Sequence, residues 1–116
     1  MGTVTIFHNP RCSKSRSSLA ILNEQGLEPE IRFYLENPPS EEELTTILAM
    51  LDISARDLLR KGESDYKALN LADPDVSETE IIKAMTEYPK LIERPIVIKD
   101  GKAAIGRPPE IILELL

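Results

Sequence analysis

The only cysteine and the only histidine of the chain stand four residues apart, in the stretch His8-Asn9-Pro10-Arg11-Cys12-Ser13-Lys14-Ser15-Arg16. Three basic residues, Arg11, Lys14 and Arg16, crowd the thiol, although the formal net charge of the 116-residue chain is -6. The thiolate is the nucleophilic form of cysteine, and neighbouring positive charge lowers the thiol pKa. Cys12 therefore reads as a reactive thiol. The competing reading, an inert buried cysteine, calls for apolar neighbours that this stretch lacks. His8 reads equally well as a strand-end surface histidine or as an acid-base group beside the thiol. Cys12 to Ser15 forms a Cys-x-x-Ser motif, with serine where a dithiol enzyme has its second cysteine. With a single cysteine, a two-electron redox cycle must be completed by a thiol from another molecule. One Cys and one His are too few for a metal site, and none is expected. A Cys-x₅-Arg phosphatase loop would need arginine where Ser18 stands, so that chemistry is excluded in its usual form.

Two arginines directly precede prolines, Arg94 before Pro95 and Arg107 before Pro108. Residues before proline are held extended, so both side chains are aimed by a stiff backbone. Arg60 closes a short helical pattern, and taken alone it reads as a solvated or ion-paired surface residue. Guanidinium groups bind tetrahedral oxyanions bidentately, so several converging on a thiolate would form an oxyanion site.

The elements that must position these residues follow from periodicity and breakers. Thr3–His8 alternates as a strand, and Asn9-Pro10 breaks it. The pattern predicts a helix over Ser13–Gln25 with Leu19 and Leu22 inward and Gly26 at its C-terminus, placing Cys12 at a helix start. Glu30–Leu35 alternates through Ile31, Phe33 and Leu35 as a second strand, parallel to the first across a βαβ crossover. Helical patterns then fill roughly residues 40–90. Ser40 with Glu43 and Ser77 with Glu80 form capping boxes. The first precedes an apolar face of Leu44, Ile47, Leu48 and Leu51, and the second precedes Ile81, Met85 and Tyr88. Between them, Ser54 caps a short helix ending near Lys61, and Pro89 stops the last. Pro95–Ile105 reads as a hairpin around Asp100-Gly101, a type I′ signal. Pro108 and Pro109 open a final helix with Ile111, Ile112, Leu115 and Leu116 as its stripe. The order βαβ, helical insert, ββα is that of an α/β protein with a thioredoxin-like sheet. The expectation is one domain over residues 1–116, with the insert at about 40–90 and a mixed four-stranded sheet.

Composition narrows the function classes. Twenty acidic against 14 basic residues disfavour nucleic-acid binding. No apolar run approaches the roughly 18 residues of a membrane span, so no membrane partner is expected. MGTVTIF lacks the marks of a signal peptide, and a lone free thiol suits a reducing cytosol, so the expected location is cytoplasmic.

Over effectively its whole length, from VTIFHNP to GRPPEIILELL, the chain resembles the glutaredoxin-coupled arsenate reductase family. The resemblance is carried by HNPxCxxSR, YLENPP, LLRK, NLAD, LIERPIV and GRP. It implies a thioredoxin-like fold with a helical insert. It implies that Cys12 attacks arsenate, that Arg60, Arg94 and Arg107 bind the oxyanion, that His8 helps keep the thiol ionised, and that Ser15 hydrogen-bonds it. Pro95 takes the place of the cis-proline that precedes the third strand and faces the cysteine in such folds. Glutathione is implied as co-substrate and glutaredoxin as partner, with no bound cofactor. The departures from the family pattern are Arg11, Ser13 and Lys14, where small residues are usual. Two alternatives are similar in pattern: Spx-type regulators that grip RNA polymerase, and monothiol glutaredoxin-like proteins using Cys-x-x-Ser. Neither needs the three arginines together.

Overall fold

The computed structural model describes residues 3–116; Met1 and Gly2, the start of the stretch read for a signal peptide, lie outside them. The chain forms two compact units, Met1–Asn37 together with Arg94–Leu116, and Pro38–Glu93.

The first unit holds β1 (Val4–Phe7), α1 (Ser13–Glu24), β2 (Glu30–Arg32), β3 (Ile96–Lys99), β4 (Lys102–Ile105) and a 3₁₀ segment, Pro109–Leu115. Its sheet runs β2-β1-β3-β4. β1 pairs parallel with β2, Ile6 opposite Ile31, and antiparallel with β3, Ile6 opposite Val97. β3 and β4 form the hairpin, closed by Asp100 at φ 51° and Gly101 at φ 77°, the two positive φ values a type I′ turn requires. This is the expected thioredoxin-like sheet. Helix α1 ends in a Schellman motif: Leu27 N–H bonds Leu22 O at 3.1 Å and Gly26 N–H bonds Asn23 O at 3.0 Å, with Gly26 at φ 77°. The core of this unit joins Val4, Ile6, Leu22, Val97 and Ile112, with Leu19, Ile21, Leu27 and Leu115 packed around them. Each fully buried aliphatic side chain contributes about 1.5–3 kcal/mol.

In this unit two elements differ from their sequence reading. β2 stops at Arg32 rather than running to Leu35, because the chain turns at once: Glu36 and Asn37 N–H both bond Phe33 O, and Arg32 Nε bonds Asn37 O. The turn reverses the expected facing. Tyr34 is buried and stacks on Phe7 with ring centroids 6.4 Å apart, whereas Ile31 and Phe33 are exposed. The final segment is 3₁₀ rather than α-helical. In a 3₁₀ helix side chains three apart eclipse, so Ile112 and Leu115 reach the core. Ile111 and Leu116, counted in the predicted stripe, are exposed.

The second unit contains α2 (Glu41–Leu51), α3 (Ala55–Leu58), α4 (Ser64–Ala68), α5 (Glu78–Glu87) and a 3₁₀ turn at Pro89–Leu91. The Ser40–Glu43 box is fully formed, and a further box joins Ser54 and Asp57. At α5 the Ser77 hydroxyl accepts the Glu80 N–H. Helix α5 packs on α2, α3 and the 3₁₀ turn, burying Leu44, Ile47, Leu48, Leu58, Ile81, Met85 and Leu91. Tyr88 is exposed, not on the apolar face. α3 ends at Leu58, short of Lys61, because Leu59 turns extended and bridges Ile92. Arg60 therefore follows a strand-like bridge instead of closing a helix, its N–H bonded to Leu91 O at 2.8 Å.

Candidate active site

The chain leaves β1 with His8 N–H bonded to Arg32 O at 2.9 Å, turns through Asn9–Cys12, and enters α1. The turn is tied by Cys12 N–H to Asn9 O at 3.0 Å and by Arg11 N–H to Asn9 Oδ1 at 3.0 Å. Arg16 folds back, donating to Pro10 O at 2.9 Å. Cys12 is the N-cap residue of α1, extended at φ -95°, ψ 122°. Its side chain makes no strict capping hydrogen bond, yet the first free N–H groups of the helix lie on its side of the turn.

The electrostatics of the thiol are a contest. Burial by itself pushes the Cys12 pKa up. The backbone N–H of Ser15, the charge of Arg94, the backbone N–H of Lys14 and the charge of Arg107 oppose it, in that order, and together they hold the thiol below its ordinary value. Arg107 Nη2 is 3.8 Å from Cys12 Sγ. Its Nε donates to Arg94 O at 2.8 Å, so the guanidinium is anchored at one edge and presents the other to sulfur. Arg107, 13 residues after Arg94 in sequence, thus reaches the Cys12 sulfur with its guanidinium, and the charge of Arg94 acts on the same thiol. The Arg94–Pro95 peptide is cis, as the sequence reading expected, and so is Arg107–Pro108.

His8 and Ser15 are both buried. Ser15 Oγ lies 2.6 Å from His8 Nδ1 and accepts the Asn9 N–H at 3.0 Å. In the neutral Nε2–H tautomer of His8, the hydroxyl donates to Nδ1, so one oxygen serves as donor and acceptor at once. The Ser15 hydroxyl thus contacts His8 and Asn9, and the Ser15 backbone N–H acts on the thiol. Burial, and then the charge of Arg16, lower the His8 pKa from 6.5, which favours the neutral ring. Its ring meets Phe33 edge-on, centroids 5.9 Å apart.

Two site residues carried no signal that singled them out in the sequence, Gly106 and Ser18. A Cβ on Gly106 would strike Ser18 Oγ and stand 2.8 Å from Pro95 Cγ. Gly106 N–H bonds Pro95 O at 2.9 Å. The glycine is required by space, not by φ, and it lets the residue before Arg107 press against both α1 and Pro95. Its place in the GRP stretch was the only available hint.

Arg60 belongs to the second unit. Its guanidinium pairs with Glu63 Oε1 at 2.9 Å and with Glu93 Oε1 at 3.8 Å. Among the described residues no group of three His, Cys, Asp or Glu is placed to hold a metal ion. No helix among them is long and apolar enough to cross a membrane.

A mixed β2-β1-β3-β4 sheet with its cysteine between β1 and α1, and an arginine-proline pair ahead of β3, defines a thioredoxin-like protein built around one thiol. The sequence model of the ArsC family matches residues 7–115, and the chain belongs to that family. It is 54% identical over 114 residues to uncharacterized protein YfgD of Escherichia coli strain K12, covering 97% of this chain and 96% of that protein. It is 49% identical over 115 residues to an arsenate reductase of Haemophilus influenzae, covering 98% and 99%. A solved structure of an arsenate reductase from Vibrio cholerae matches it at a TM-score of 0.96 and 50% identity, over 98% of each chain.

Proposed function

We propose that the protein reduces arsenate to arsenite in the cytoplasm, with Cys12 as nucleophile, glutathione as co-substrate and glutaredoxin as electron-transfer partner. The observation that carries this reading is the Arg107 guanidinium 3.8 Å from Cys12 Sγ, with the Arg94 charge acting on the same sulfur. Arsenate and a thiolate are both anions, so their approach needs cations placed beforehand where charge gathers in the transition state. Cys12 Sγ forms a bond to arsenic as one arsenate oxygen leaves as water. A glutathione thiol joins the adduct, arsenic takes two electrons, and sulfur is oxidised to the disulfide level. Over a full cycle one arsenate and two glutathione thiols give one arsenite, one glutathione disulfide and water, and Cys12 is restored. The family resemblance gives Arg60 the same anion-binding role; our reading rests on Arg94 and Arg107. A regulator needs no arginine pair at its thiol, and a monothiol glutaredoxin needs only enough positive charge to lower a thiol pKa, so Arg94 and Arg107 acting on Cys12 together favour the oxyanion reading.

The test is arsenite formation with glutathione, glutaredoxin, and NADPH-coupled glutathione reductase, run beside Cys12→Ser. The reading expects turnover that vanishes in Cys12→Ser. Absent turnover in the parent, or turnover that persists in the variant, overturns it.

A further inference from the structure

We propose that Arg11 and Lys14 select a small carboxylate-bearing thiol or disulfide, of the chemistry of glutathione, as the molecule that exchanges with Cys12. This deepens the proposed function and rests on its requirement for a second thiol.

The cations of the site divide by task. Arg94 and Arg107 act on the thiol itself, and Arg16 is committed to Pro10 O. Arg11 and Lys14, immediately before and two residues after Cys12, are exposed. Among the described residues neither side chain makes a hydrogen bond or ion pair; Arg11 is held only through its backbone N–H. Neither side-chain charge is among the causes that lower the Cys12 pKa; Lys14 contributes there only through its backbone. These are two cations without an internal task, beside the one thiol of a chain of net charge -6. Such a chain repels anions at long range, and two local cations make the surroundings of Cys12 an exception. Exposed charges of this kind act over a screening length of about 8 Å at physiological salt, the scale of a tripeptide's carboxylates around its sulfur.

The exchange step needs no further reactant. Cys12 Sγ attacks one sulfur of a disulfide and forms a new S–S bond. The old bond breaks, and the other half leaves as a thiolate. Cys12 is oxidised to the mixed disulfide, and the departing half is reduced.

The experiment measures the second-order rate of mixed-disulfide formation by mass spectrometry, using three probes. They are glutathione disulfide, neutral bis(2-hydroxyethyl) disulfide and cationic cystamine. Arg11→Gln/Lys14→Gln should lower the anionic-to-neutral rate ratio by about five-fold at roughly 0.01 M salt, and the difference should vanish near 1 M, where screening falls to about 3 Å. Arg11→Glu/Lys14→Glu should turn the preference toward cystamine. Using ratios cancels any change in the intrinsic nucleophilicity of Cys12, and circular dichroism checks the fold. A ratio unchanged within two-fold in both double variants overturns the proposal. So does a rise in the arsenate KM with the ratio intact, since the pair would then serve the oxyanion. The exchange assay contains no arsenate, so its failure is distinct from failure of arsenate as substrate.

Discussion

Cys12 is held by two backbone N–H groups and two guanidinium charges, and burial works against all four. A folded-state pKa below the ordinary value means that folding favours the thiolate. That stabilisation is present above the unfolded thiol pKa and is lost as pH falls through the lowered, folded one. The rate of alkylation by iodoacetamide should therefore rise with pH through a midpoint below that of the same chain unfolded in urea. Arg94→Leu and Arg107→Leu should each move that midpoint up; a midpoint unmoved in both removes the guanidinium groups from the account. Ser15 separates two roles that the sequence could not. The position near the thiol was legible from Cys-x-x-Ser, but the destination of a hydroxyl depends on neighbours brought in by folding, here His8 and Asn9. Ser15→Ala keeps the backbone N–H that acts on sulfur and strips a partner from buried His8 Nδ1. It should leave the alkylation midpoint nearly in place and cost about 1–3 kcal/mol in urea unfolding, the usual penalty for an orphaned buried polar group. A midpoint that shifts as far as in the arginine variants, with stability unchanged, would place the hydroxyl on the thiol instead.

At the scale of elements, strong local signals carried over and tertiary competition decided the rest. Ser40–Glu43, Gly26 and Asp100-Gly101 each set a boundary through bonds within a few residues, and each stands where its chemistry predicts. β2 shows the opposite case. Alternation through Ile31, Phe33 and Leu35 favoured a longer strand, but the turn at Phe33–Asn37 and the Phe7–Tyr34 stack reversed the facing. The C-terminal segment likewise took 3₁₀ geometry, with Ile112 and Leu115 turned to the same core. Gly106 showed only as part of GRP, because the reason for it is its close approach to Ser18 and Pro95, which folding brings together. Gly106→Ala should lower stability by about 1–3 kcal/mol, the cost of overpacking a rigid site. It should also lower Cys12 reactivity, since relief of the clash must move Pro95 or the end of β4, which carries Arg107. Thermal unfolding together with iodoacetamide kinetics checks both parts. An alanine variant as stable and as reactive as the parent contradicts the close packing described.

For the whole molecule, an acidic chain of net charge -6 sets the charges of Arg94 and Arg107 on one sulfur, and the ArsC family model matches residues 7–115. Fold and family were legible because the motifs are spread over the entire chain. Cys12, Arg94 and Arg107 were legible because a thiol amid cations and an arginine before a proline each stand out in the sequence. The central claim is that a guanidinium-held Cys12 thiolate attacks arsenate. It is tested most directly by steady-state arsenite formation for Arg107→Lys, at saturating glutathione and glutaredoxin, with circular dichroism confirming the fold. Lysine keeps the charge and loses the planar fork that reaches Arg94 O and Sγ together. The account predicts turnover lower by roughly ten- to a thousand-fold, the range for removing one preorganised transition-state contact of about 1.5–4 kcal/mol. Turnover equal to that of the parent would contradict it.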